Sequence, residues 1–200
     1  MTPERKNRLE FVLNNRQNDL TVILENVFDP HNISAVIRTC DAVGIMEIYV
    51  LNTINPNHFR YNDYASSSAS KWVVINQYSD TKACIDAVRK KYNMIYSTHL
   101  NESSKDLFEL DLTQSTALVF GNERFGVSEE ILSYCDGNFI IPQAGMIRSL
   151  NISVACAVSL YEAFRQKNTQ NHYKQKKITN EEQSNLLKLW DEERLSNEIV

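Results

Sequence analysis

Glycine, proline and cysteine are scarce in this chain of 200 residues, at 5, 4 and 4. No GxGxxG follows an apolar run, which disfavours a dinucleotide-binding loop. No GxxxxGK[ST] is present, which excludes a phosphate-cradling P-loop. HExxH, GxSxG and the EF-hand calcium loop are also missing. Cys40, Cys84, Cys135 and Cys156 stand far apart with no CxxC pair, and His31, His58, His99 and His172 have no ligand spacing, so no metal site is expected. Cys40 and Cys156 fall on apolar helical patterns and read as buried thiols. His31, after Pro30, reads as a turn residue or a substrate contact, and His99, just past a strand, as a candidate pocket residue. No apolar run reaches the ~18 residues of a membrane span and the N-terminus is charged, so the expectation is a cytoplasmic, reduced protein away from the membrane.

The net charge of −4 is unevenly spread. Residues 1–17 carry four bases against two acids, and 165–177 carry five bases with no acid, whereas the body and the last residues are acidic. That asymmetry reads either as an acidic core with polyanion-gripping arms or as ordinary solvated helix ends.

Hydrophobic periodicity alternates between the two regular structures. Strands are predicted at Leu20–Leu24, Ile45–Leu51, Trp72–Ile75, Asn93–Thr98, Thr116–Phe120 and Asn138–Ile141. Helices are predicted from Pro3 to about Arg16, at Asn32–Val43 with Gly44 as its stop, at Asp80–Lys91, at Ser128–Tyr134 and at Ser149–Gln166 with Ser149 as N-cap. Asn52–Ser70 is polar and reads as a loop. Thr179 and Glu182 form a capping box ahead of Leu186, Leu187, Leu189 and Trp190, a helix expected to pack on the core or on a partner. The fold class is therefore α/β, a mostly parallel sheet with helices on both faces. The chain divides into a basic helix over 1–18, a core over 19–166 and a helical extension over 167–200.

Sheets of this class collect ligands at the carboxyl ends of their strands. Three polar clusters lie there. Glu25, Asn26, Asp29, His31 and Asn32, with Arg38 further along the helix, follow the first strand. Gly121-Asn122-Glu123-Arg124-Phe125-Gly126 follows the strand at Thr116–Phe120. The third cluster runs from Ile141-Pro142 through Gly145 to Ser149-Leu150-Asn151-Ile152-Ser153, a strand end, an irregular loop and a helix start. Each alone reads as caps and turns; their shared position marks a site.

In this order, Asn32-Ile33-Ser34-Ala35-Val36-Ile37-Arg38-Thr39-Cys40-Asp41-Ala42-Val43-Gly44, Leu118-Val119-Phe120-Gly121-Asn122-Glu123-Arg124-Phe125-Gly126 and Ile141-Pro142 through Ser149-Leu150-Asn151-Ile152-Ser153-Val154-Ala155 resemble the three motifs of the SPOUT class of RNA 2′-O-ribose methyltransferases. Outer matches, from Thr2-Pro3-Glu4-Arg5 and Asp19-Leu20-Thr21-Val22 to Ser70-Lys71-Trp72 and Ser97-Thr98-His99-Leu100, resemble the branch acting on a tRNA D-loop guanosine. The resemblance spans roughly 2–168. It implies a C-terminal trefoil knot, a rare exception to unknotted topology, a homodimer completing each site, S-adenosylmethionine as methyl donor and tRNA as partner. By resemblance Thr98, Gly121, Ile141 and Leu150 bind the donor, and backbone groups around Ile141, Gly145 and Met146 are expected to hydrogen-bond its adenine. Arg38, Asn32, Glu123, Ser149 and Asn151 form the catalytic set. Arg38 activates or orients the 2′-hydroxyl, and Glu123 fixes Arg38 or Asn32, the alternative for Glu123 being a local pair with Arg124. The basic residues Arg5, Arg8, Arg16, Arg165, Lys167, Lys174, Lys176 and Lys177 are expected on tRNA phosphates. Gln143 stands where the family commonly has Met, and Arg148 where an uncharged polar residue is frequent. The alternatives are a wobble or ribosomal RNA ribose as target, or a non-catalytic RNA-binding relative.

Overall fold

Leu20–Glu25 (β1) is a six-residue run buried along its whole length, the signature of a central strand in a parallel sheet. The computed structural model describes residues 2–56 and 69–197 and places β1 among β2 (Glu47–Leu51), β3 (Val74–Tyr78), β4 (Met94–Thr98), β5 (Lys105–Asp106), β6 (Thr116–Phe120) and β7 (Gly137–Ile140). The order across the seven-stranded sheet is β3-β2-β1-β6-β4-β7-β5, and every pairing is parallel.

Successive side chains on a strand point to opposite faces, and β1 and β6 use both. Leu20, Val22, Leu24, Leu118 and Phe120 pack with Ile33, Val36 and Ile37 of α2 (Pro30–Ala42) and with Cys156, Leu160 and Ala163 of α5 (Ile152–Thr169). Ile23, Ala117 and Val119 face the other way, onto Cys84, Ile85 and Val88 of α3 (Thr81–Arg89) and Ile131 of the short α4 (Glu129–Leu132). The parallel sheet with helices on both faces is thus the observed architecture.

A third, smaller cluster joins the chain ends. Leu9 and Leu13 of α1 (Pro3–Asn14) meet Ile178 and Trp190. Trp190 lies on α6 (Asn180–Asn197) and crosses Trp72 edge-on, with ring centroids 5.1 Å apart. The expected capping box opens α6: Thr179 Oγ1 accepts from the Glu182 N–H at 3.1 Å and Glu182 Oε2 from the Thr179 N–H at 2.7 Å.

Several boundaries differ from expectation. The helix after the third cluster, α5, is capped by Asn151, not Ser149. Asn151 Oδ1 accepts from the Ser153 and Val154 N–H groups, which leaves residues 149 and 150 on the approach to the helix. β3 begins two residues later than predicted: the Trp72 N–H donates to the Ala69 carbonyl at 2.9 Å in a turn, and the strand proper, VINQY, is a partly exposed edge without a clean apolar alternation. β5 lies outside the expected strands; it is two polar residues on the opposite edge. The polar stretch at Asn52–Ser70 lies mostly outside the described residues, as do His58 and the side chain of Leu189.

Candidate active site

The three polar clusters converge at the carboxyl ends of the central strands. Parallel strands place all their C-termini on one edge, so β1, β6 and β7 deliver their following loops to one place. The loop after β6 folds back tightly. Asn122 and Gly126 exchange backbone hydrogen bonds at 3.0 and 2.8 Å, and Asn122 Oδ1 accepts from the Arg124 and Phe125 N–H groups at 2.8 and 3.3 Å. A Cβ on Gly121 would lie 2.2 Å from the Gly126 carbonyl carbon, so only glycine permits this closure.

One hydrogen-bond chain links the clusters. Asn32 Nδ2 donates to Glu123 Oε1 at 2.7 Å, and Asn151 Nδ2 donates to Asn32 Oδ1 at 3.0 Å. Of the two roles expected for Glu123, fixing Asn32 is the one the geometry displays. Asn32 is buried on the first turn of α2, whose N-cap is Asp29. A charged acceptor makes the Asn32–Glu123 bond the stronger of the two.

Beside this chain lies a cavity of about 840 Å³. Phe120, Phe139, Ile141, Leu150, Ile152 and Ala155 give it apolar walls. Thr98, Asn122, Asn151 and Arg148 add polar groups, and Glu123 is the one acid among the described lining residues. The size and mixture suit a nucleoside-sized ligand. Of the residues expected to bind a donor, Thr98, Gly121, Ile141 and Leu150 line the cavity. Gly145 and Met146 do not, and Met146 is 99% exposed. Ser149 and Asn151 are on the lining, as is His99. Arg38 is exposed on α2 and is not among the residues lining its own chain's cavity. Gln143 and Arg148, the two departures from the family pattern, line it, as does Ile147, which no local pattern singles out in the sequence.

Behind the loop after β6 stand two residues that the sequence placed in the first cluster without a role. Glu25, 1% exposed, accepts from both the N–H and the hydroxyl of Ser128. Burial pushes its carboxyl above the usual range, and the two Ser128 hydrogen bonds pull the other way. Asn26 takes a left-handed conformation, φ 52°. Its carbonyl accepts from Asn122 Nδ2 at 2.7 Å, and its side-chain oxygen accepts from the Thr53 and Ile54 N–H groups at 2.9 and 3.1 Å.

The basic segments need correction. Arg16 is 1% exposed, donating to Asp41 at 2.6 Å and to the carbonyls of Ile45 and Trp72 at 2.9 and 3.0 Å, with the Trp190 ring 5.6 Å from its guanidinium carbon. Lys167 is fully buried, bound to Asp19 at 3.1 Å and to the carbonyls of Thr113 and Gln114. Neither presents its charge to a polyanion; both tie chain ends to the core. Arg165 is exposed but held by two hydrogen bonds to Glu162, and Lys177 pairs with Asp19 at 3.2 Å. Lys176 donates to Asn180 and Gln183. Arg8 and Lys174 are exposed, and Arg5 is half-buried.

Among the described residues no group of three His, Cys, Asp or Glu side chains is set to hold a metal ion, and no helix is long and apolar enough to cross a membrane. Cys40, Cys84, Cys135 and Cys156 are free thiols, all but Cys135 buried.

Residues 19–161 match the SpoU rRNA Methylase family. A tRNA (guanosine(18)-2′-O)-methyltransferase of Thermus thermophilus is 45% identical over 168 residues, 83% of this chain and 84% of that protein. The crystal structure of the Aquifex aeolicus TrmH/SpoU tRNA modifying enzyme superposes with a TM-score of 0.88 at 37% identity, covering 96% of each chain. The SpoU methyltransferase AviRb of Streptomyces viridochromogenes, solved in complex with AdoMet, superposes with a TM-score of 0.65 at 29% identity, over 77% of this chain and 60% of that one.

Proposed function

The chain belongs to the SpoU methylase family, and from that premise we propose that it transfers a methyl group from S-adenosylmethionine to the ribose 2′-hydroxyl of the tRNA guanosine at position 18, in the D-loop. The observation that carries this reading is the Glu123–Asn32–Asn151 chain, which closes all three motifs on one edge of one nucleoside-sized cavity.

The cavity's own residues fit the donor. Phe120, Phe139, Ile141 and Leu150 provide apolar surface for an adenine ring, and Glu123 is the acid available to a cationic sulfonium. When bound, S-adenosylmethionine supplies an electrophilic methyl group. Thr98, Gly121, Ile141 and Leu150, which line the cavity, would hold it. Asn32 carries no reacting group; it keeps Glu123 and Asn151 in register, so that both stay on the cavity. Asn151 also caps α5, fixing Ser149 and Leu150 at the cavity rim.

Arg38 is assigned the target hydroxyl. A guanidinium with a pKa above about 12 is poorly suited to take a proton, but well suited to grip a phosphate and orient the adjacent 2′-OH. Because Arg38 is exposed and outside its own chain's cavity lining, the reading places it at the cavity of a second copy, in a homodimer. Arg5, Arg8 and Lys174 extend the tRNA contact beyond the site. The sheet supports the knotted form of the fold: β7 lies between β4 and β5, although residues 99–104 already join those two strands. The division into 1–18, 19–166 and 167–200 belongs to the same reading, as does a cytoplasmic location with its tRNA.

The test is methyl transfer from labelled S-adenosylmethionine to an unmodified tRNA transcript, with the modified nucleotide mapped. A 2′-O-methyl at position 18 is the expected result; methylation at another ribose overturns the substrate, and no transfer overturns the activity.

A further inference from the structure

The loop that carries Gly121, Asn122 and Glu123 to the cavity has its own closure, but that closure does not fix where the loop sits. Two consecutive residues at the end of β1 do. Asn26 takes hold of the loop entry, accepting from Asn122 Nδ2 on its backbone carbonyl. Glu25 takes hold of the loop exit, accepting from both Ser128 donors. The left-handed Asn26 is what lets adjacent residues serve both ends, and its side chain is itself held by Thr53 and Ile54 beyond β2.

Burying a carboxylate is costly, and an apolar or neutral residue would satisfy the packing at lower cost. Glu25 offers what those cannot: two acceptor oxygens on one rigid group, facing one backbone and one hydroxyl donor just past the loop that carries Asn122 and Glu123. Ser128 is also the N-cap of α4, its oxygen accepting from the Ile131 N–H at 3.4 Å while its hydroxyl proton goes to Glu25. The carboxylate therefore orients the cap and loop exit together. The carboxyl is buried and touches the loop exit, not the cavity, so it acts through the loop.

We propose that Glu25 is a positioning residue of the methyl-transfer site, which through Ser128 sets the placement of the 121–126 loop and hence of Gly121 and Glu123 on the donor cavity. This rests on the methyltransferase reading above, and the experiment separates the two. Binding of S-adenosylmethionine is measured by calorimetry, and kcat and KM for tRNA by labelled methyl transfer, in the parent protein, Glu25→Gln, Ser128→Ala and the double variant. A parent that neither binds the donor nor transfers methyl overturns the functional reading. Given an active parent, Glu25→Gln is expected to weaken donor binding and lower kcat at least tenfold, with KM for tRNA within twofold. Ser128→Ala is expected to move the same two quantities in the same direction, and the double variant to be no worse than the more damaged single one, because both act through one contact. Donor affinity and kcat within twofold of the parent in folded Glu25→Gln overturn the proposal, as do additive losses in the double variant. If Glu25→Gln does not fold, Ser128→Ala alone decides: a fivefold or greater loss in kcat at unchanged KM for tRNA supports the role, and an unchanged kcat overturns it.

Discussion

Asn151 hands its side-chain amide to Asn32 Oδ1 at 3.0 Å, joining residues 119 positions apart in the sequence, and Asn32 spends its own amide on Glu123. Each asparagine works at both ends, since Asn151 Oδ1 also caps α5. One side chain at position 32 therefore holds the register of two other motifs.

Asn32→Ala leaves the Glu123 carboxylate and the Asn151 amide without their shared partner. A lost charged hydrogen bond is worth about 1.5–3 kcal/mol, which is roughly a tenfold to hundredfold drop if expressed in the transition state. The expected outcome is a fall in kcat of that size with the protein still folded, read by single-turnover methyl transfer and circular dichroism. A kcat within twofold of the parent removes Asn32 from the site.

Arg38→Ala should abolish methylation while leaving donor affinity within a few-fold, and Arg38→Lys should not rescue it, because an ammonium lacks the planar fork. If Arg38 serves a second copy's cavity, mixing Arg38→Ala with a cavity variant such as Gly121→Ala after co-refolding should restore part of the activity, through dimers with one intact site. Mixtures as inactive as their components would place Arg38 within its own chain's site or outside the reaction.

Gly121→Ala forces a methyl into the backbone of Gly126 and Val127. Overpacking of this kind costs about 1–3 kcal/mol. The loop should open, lowering the melting temperature and donor affinity together. Differential scanning calorimetry with and without S-adenosylmethionine measures both, and an unchanged ligand-induced shift in Tm would mean the cavity does not depend on this closure.

The basic arms separate into two groups by burial. Replacing Arg8 and Lys174 with Gln should weaken tRNA binding and lower its dependence on salt, each phosphate contact adding about 0.9 to the slope of log K against log salt on a duplex. Arg16→Ala should instead destabilise the fold, by about 1.5–3 kcal/mol, since the half-buried Asp41 and two carbonyls lose their charged donor. Filter binding across a salt series and urea denaturation distinguish the two. A salt slope unchanged in the Arg8 and Lys174 variant would take these arms off the RNA.

Glu25 gives a pH signature. Its carboxyl is raised in the folded protein, so the native state holds the proton more tightly than the unfolded chain, whose glutamates titrate near about 4.3. Stability contributed by this group is thus greatest at low pH and is lost as pH rises from that value through the folded pKa. The stability of Glu25→Gln relative to the parent should therefore increase between pH 4 and 7, by urea denaturation at each pH. A pH-independent difference would mean Glu25 titrates normally.

The strands and helices were legible because β1, β6 and α2 carry unmixed signals: continuous apolar runs in the centre of the sheet and an apolar stripe at helical spacing on Ile33, Val36, Ile37 and Cys40. The edges were less so. β3 and β5 are held by pairing with a neighbour rather than by their own pattern, so their limits could not be read from polar residues such as Asn76, Gln77, Lys105 and Asp106. The motifs pointed to Asn32, Glu123 and Asn151, which the structure joins in one chain, whereas Glu25 and Asn26 stood in the first cluster without a task.

What the sequence determined by itself was therefore the local code: periodicity, the capping box at Thr179 and Glu182, and the order of the motifs. What only the tertiary structure decided was which side chains share an environment. Charge alone could not tell Arg16 and Lys167 from Arg8 and Lys174, because burial depends on residues such as Trp190, Asp41 and Asp19 brought from far along the chain. Nor could Ser149 and Asn151 be ranked as caps, since both are good N-cap residues and the choice fell to the one whose amide also reaches Asn32. Local propensity is set within a few residues; burial and hydrogen-bond partnership are properties of the packed chain.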